Sequence, residues 1–115
     1  MIMVTTETIV GKKVVKTLGL ARGNTIRARN IGRDILAVFR NMVGGEITDY
    51  TKAIAEAREQ SLDRMQQDAE VMGANAIIMV RITTSEVMQG AAEILTYGTA
   101  VVVEDEYDSL LEKPQ

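Results

Sequence analysis

The sequence predicts an α+β domain in which an antiparallel sheet is covered by one long helix. Three observations lead there. One stretch repeats apolar residues at steps of three and four across its whole length. Two later stretches are short, rich in β-branched residues and bounded by polar residues or Gly. The chain has 115 residues, which is the size of a single domain.

In chain order, Met1–Val4 is an edge-strand candidate. Val14–Val15 with Leu18–Leu20 forms another strand. Ile31, Ile35, Val38, Phe39 and Met42 have helical spacing and predict a short helix over about Asn30–Val43, stopped by Gly44–Gly45. The long helix runs from about Asp49 to Met72. Its apolar stripe is Tyr50, Ile54, Ala57, Ser61, Met65, Ala69 and Met72. Thr48 or Asp49 can cap its start by accepting an orphan backbone N–H, and Gly73 stands where a left-handed residue ends a helix. Ala76–Thr84 and Leu95–Val103 are the two later strands, joined by a hairpin-like link over Ser85–Glu93 that carries Gly90. Residues 1–103 make one domain, and 104–115 form an acidic tail.

Packing sets a further expectation. By simple alternation Ile77 and Met79 point to one side of the sheet, and Ile78, Val80 and Ile82 to the other. Leu95–Val103 is also apolar or small on both faces, and strands of this kind need cover on both sides. The long helix covers one face. The other requires the short helix or a second chain.

Composition removes whole classes of chemistry. There is no Cys and no His. Disulfides, thiolate nucleophiles and Ser–His or Cys–His pairs are therefore excluded. No Walker loop or Gly-x-Gly-x-x-Gly stretch follows a strand. The paired acids Glu59 and Asp63 lie on the helix's polar side, so the expectation is a protein that is not an enzyme. No apolar run nears the roughly 20 residues that span a bilayer, and Met1–Thr6 does not have the pattern of a secretory signal. The cytoplasm is the expected compartment, with no membrane partner. Charge is uneven. Residues 1–45 hold eight cations against two acids, whereas residues 104–115 hold five acids and one Lys. The basic half is the one argument for nucleic acid. Its single aromatic, Phe39, offers no stacking platform, and this disfavours that partner.

Several spaced features together resemble a known family. They are Gly23-Asn24, Arg33-Asp34 and Gly44-Gly45, then Tyr50, Ala57-Arg58 and Met65 on the long helix. The exit Gly73-Ala74-Asn75-Ala76 and the strand piece Gly98-Thr99-Ala100-Val101 complete the set. In this order they resemble the YbjQ-like family over roughly residues 2–103, with the Gly-Ala-Asn-Ala turn the most specific piece. The family is customarily labelled heavy-metal-binding and has no established activity. The resemblance implies a dodecin-subunit-like β-α-β-β fold. It also implies a ring-shaped homopentamer in which short extra strands join subunits. The partner would then be the chain itself.

Heavy-metal sites use thiolate or imidazole donors, which this chain lacks. Met65 and Met72, one heptad apart, and Met79 and Met88 are expected to pack rather than ligate. Glu104-Asp105-Glu106 could attract divalent cations loosely, but no metal residue and no cofactor is assigned. The remaining ligand reading is a small anionic ligand at subunit junctions, touching Arg33, Asp34, Arg58 and Asn75. The competing reading is structural: Asn75 bonds the turn after Gly73, and Arg33 and Asp34 form ion pairs between subunits. The expectation is a non-enzymatic oligomeric binding or scaffold protein of unknown ligand, with metal binding as the alternative.

Overall fold

The computed structural model describes residues 1–28, 47–88 and 91–106. The expected short helix over Asn30–Val43, its Gly44–Gly45 stop and most of the acidic tail lie outside them. The described chain runs β1 (Ile2–Met3), β2 (Lys12–Ala28), α1 (Ile47–Val71), β3 (Ala76–Met88) and β4 (Ala91–Asp105). The four strands form one sheet in the order β1-β3-β4-β2. The sheet is mixed, which corrects the antiparallel expectation. β3 pairs antiparallel with β4, and β4 with β2, but β1 runs parallel to β3, with Ile2 opposite Ala76. Two residues are too few to declare their direction in a sequence.

β2 is a single strand of 17 residues that extends well past the expected Val14–Leu20 stretch. Gly19, Arg22, Gly23 and Asn24 are weak strand formers, so the pattern hides its length. Its register against β4 shifts between Val14 and Lys16 and again between Thr17 and Gly19. Gly19 adopts φ +130° at the second shift, a conformation open to Gly and little else. The expected Ser85–Glu93 link is also mostly strand. β3 continues to Met88 and β4 resumes at Ala91, so the hairpin connection is two residues long.

α1 follows its predicted stripe. Ala57, Ser61, Met65 and Ala69 are buried, while Met72 lies just past the helix end and is exposed. The helix begins at Ile47, so Thr48 and Asp49 stand in its first turn and not before it. Its end is a Schellman closure: the Gly73 N–H donates to the Glu70 carbonyl and the Ala74 N–H to that of Ala69, with Gly73 at φ +90°. The chain therefore reverses at once into β3.

The helix rests on β2 and β4. Ala21, Met65, Ala69, Ile77, Val80 and Ala100 form the main buried cluster beneath it. Ala76, Val101 and Val103 form a smaller one on the opposite face, packed by Ile9 and Ile78. The N-terminal segment thus wraps round the β3 edge, placing Met3 against the first cluster and Ile9 against the second. Met79 breaks the expected alternation of β3. It sits at φ 55° in a bulge, with its N–H donating to the Thr6 carbonyl, so Ile77 and Val80 face the same core.

Candidate functional site

Of the residues singled out in the sequence, Arg33 and Asp34 lie outside the described residues. Arg58 is exposed on α1. Thirteen helical residues separate it from the end of α1 at Val71, about 20 Å of rise, so the fold does not bring it to Asn75. The Asn75 side chain is committed. Its Nδ2 donates to the Val103 carbonyl at 3.0 Å, and its Oδ1 accepts the Val103 N–H at 2.8 Å. The Asn75 N–H also donates to the Val101 carbonyl at 3.1 Å. Asn75 is therefore a structural bridge. It ties the helix exit to β4, however, and not to the turn after Gly73.

What the sheet does assemble is a polar row on the face away from α1. Residues in register share a face, and Arg22, Tyr97 and Arg81 stand side by side on β2, β4 and β3. Asn24, Leu95 and Thr83 make the next row, and Ile26, Glu93 and Ser85 the one after. The Asn24 Nδ2 donates to Glu93 Oε2 at 3.1 Å. Arg81 is partly engaged, since its Nη1 donates to the Thr5 carbonyl at 2.9 Å and to the Val80 carbonyl at 2.8 Å. Arg22 is exposed beside the half-buried Tyr97. The row offers cationic donors and a phenol, groups that can bind an anion. The sequence shows Arg22, Tyr97 and Arg81 as scattered residues. Only the pairing register puts them in line.

Under the helix, buried hydroxyls join α1 to the sheet. The Ser61 hydroxyl donates to the Gly23 carbonyl at 3.3 Å and so accepts from the Thr96 hydroxyl. The Thr25 hydroxyl donates to the Ala57 carbonyl at 3.0 Å. Each buried polar atom in this set has a partner, so it fixes helix position and is not a reactive centre.

The fold and this surface define a class: an α+β domain with one helix, among the described residues, lying on a mixed four-stranded sheet. The chain belongs to the YbjQ-like family, whose model, described as "Putative heavy-metal-binding", matches residues 1–104. A UPF0145 protein of Clostridioides difficile is 57% identical over 113 residues, covering 98% of this chain and all of that protein. A UPF0145 protein of Methanosarcina acetivorans is 57% identical over 103 residues, covering 90% and 97%. A crystal structure of a DUF74-family protein of unknown function from Pediococcus pentosaceus shares the fold. Its TM-score is 0.60 at 12% identity, covering 90% of this chain and 98% of that one.

The family description implies a heavy metal, and the donors of this chain do not fit one. Cys and His are absent from the whole sequence. Among the described residues no three Asp or Glu gather where a cation could sit. Met65 is fully buried in the apolar core, where its thioether packs. Calorimetric titration of zinc or copper into the tag-free chain is expected to show no micromolar binding. A stoichiometric heat in that range would overturn this reading. Among the described residues no helix is long and apolar enough to cross a membrane.

Proposed function

We propose that the chain is a subunit of a closed homo-oligomer, a pentamer as the family resemblance implies, that serves as a non-enzymatic binding or scaffold protein. The observation that carries this is the surface left open by a single copy. β2 and β4 hold 17 and 15 residues, each about 50 Å long or more, while the 25 residues of α1 run about 37 Å along one face. On the other face, among the described residues, Leu20 and Ile26 are 55% and 60% exposed. Apolar side chains exposed along a sheet face are what a neighbouring subunit would cover.

The ligand class best matched to the surface is a small anion held at a subunit junction. Arg22 beside Tyr97 supplies a cationic donor on the sheet, and Arg33, Asp34 and Arg58 are the junction candidates read from the sequence. The dodecin-like subunit shape belongs to the same reading. Native mass spectrometry of the tag-free protein tests it. A ring is expected, and an added mass per subunit would identify the ligand. A monomer at micromolar concentration would remove the oligomer and the scaffold role together.

A further inference from the structure

We infer that the sheet face away from α1 binds a zwitterion, a small ligand with an anionic head and a cationic tail at opposite ends of an apolar stem. The inference rests on the reading of this face as an anion site and names the ligand class. It begins with two charges that meet no opposite charge. Arg22 is exposed on β2, and among the described residues its bond outside the ladder is made by the backbone N–H to Asp68, which leaves the guanidinium fork free. Arg81, across Tyr97, is drawn aside by the Thr5 and Val80 carbonyls. Glu93 is half-buried on β4, and the neutral Asn24 amide donates to it at 3.1 Å. No cation of the described residues pairs with it.

The register puts both charges on one face and fixes their spacing. Arg22 stands opposite Tyr97, Asn24 opposite Leu95 and Ile26 opposite Glu93. From the Arg22 row to the Glu93 row is four residues, about 13 Å along the strands. That exceeds the Debye length of about 8 Å at physiological salt, so the two charges do little for one another. Between them the half-buried Leu95 makes an apolar floor, with Tyr97 beside Arg22. The Asn24 amide draws the Glu93 carboxylate toward β2, the strand that carries Arg22. A simple anion would satisfy Arg22 and leave the partly desolvated Glu93 unpaired, at a cost. A simple cation would do the reverse. A rod with one charge at each end meets both and lays its stem over Leu95. Allowing for the reach of the two side chains, its charged ends stand on the order of 10 Å apart.

Titration of the tag-free protein with octanoate, octylamine and ω-aminooctanoate, followed by the backbone amide NMR shifts of Asn24 and Leu95, tests this. The zwitterion should bind about fivefold more tightly than octanoate, the gain from one further ion pair. Glu93→Gln keeps the side-chain volume and an oxygen for the Asn24 amide, so the fold should hold. It should erase the preference and leave octanoate binding no weaker. Arg22→Gln should weaken both ligands. ω-Aminobutanoate, too short to reach both charges, should gain nothing over butanoate. Equal affinity for octanoate and ω-aminooctanoate, a preference that survives Glu93→Gln, or an equal gain for the short chain would overturn the zwitterion and leave the anion reading standing. Octanoate binding that ignores Arg22→Gln would place the anion elsewhere and overturn both. Failure of octanoate and ω-aminooctanoate alike to bind at millimolar concentration would also overturn both, and would mean that the two charges meet a neighbouring chain.

Discussion

Gly23→Ala is expected to destabilise the fold by about 3 kcal/mol, the upper end for an overpacked interior. A Cβ on Gly23 would stand 2.3 Å from the Ser61 carbonyl oxygen, 2.4 Å from the Met65 nitrogen and 2.8 Å from the Arg64 Cβ. Two of these atoms are helix backbone, which cannot swing aside. The helix would have to lift from β2 as a unit. That movement strains the Ser61–Gly23 and Thr25–Ala57 hydrogen bonds, and with them the two bonds by which Arg64 and Asp68 hold the β2 edge. Gly98→Ala is the useful comparison. Its Cβ would first meet the Ile77 Cγ2, at 2.7 Å, and the Ile78 carbonyl at 3.0 Å. The nearest of these is a methyl of a side chain and not helix backbone, but it sits on the β-branched carbon of the fully buried Ile77, so the expected loss is smaller than for Gly23→Ala but still about 2 kcal/mol. Urea unfolding of both variants checks the order. A Gly23→Ala midpoint equal to wild type would mean that α1 does not rest on β2 at this distance.

Asn75→Ala is expected to cost about 2 kcal/mol, from two hydrogen bonds and the two backbone groups of Val103 left without partners. The sharper readout is local. Hydrogen exchange at the Val103 amide should accelerate, because that N–H is held by the Asn75 side chain. Asn75→Asp keeps an acceptor for the Val103 N–H but sets a carboxylate oxygen against the Val103 carbonyl. It is therefore expected to be no better than alanine at neutral pH. Unchanged exchange at Val103 in the alanine variant would contradict the bridging role.

How much was legible beforehand differs from element to element. The long helix was readable because Ala57, Ser61, Met65 and Ala69 repeat a local period, and Gly73 marks its end. The cores of β3 and β4 were readable from β-branched runs. The full extent of β2 was not, because Gly19, Gly23 and Asn24 look like turn residues until the helix is seen to need Gly23 beneath Ser61. The Met79 bulge was invisible for a similar reason. Methionine gives no sign of a positive φ, which here is held by the N-terminal segment through Thr6. The candidate site was legible only as residue types. Arg58 and Asn75 were read as candidates from residue type and position, and within one chain they stand at different ends of the last turns of α1. Arg22, Tyr97 and Arg81 carry no shared pattern in the chain.

Composition and local period were enough for the class of fold, the place of the main helix, and the exclusion of thiol and imidazole chemistry, because each is a property of residue type or of neighbours a few positions apart. The direction of β1, the register of β2 and the row Arg22–Tyr97–Arg81 belong to the folded chain alone. They depend on partners such as Arg22 with Asp68 and Asn24 with Glu93, which are 46 and 69 positions apart. No local pattern encodes such pairings, and they are chosen only when the helix closes on the sheet.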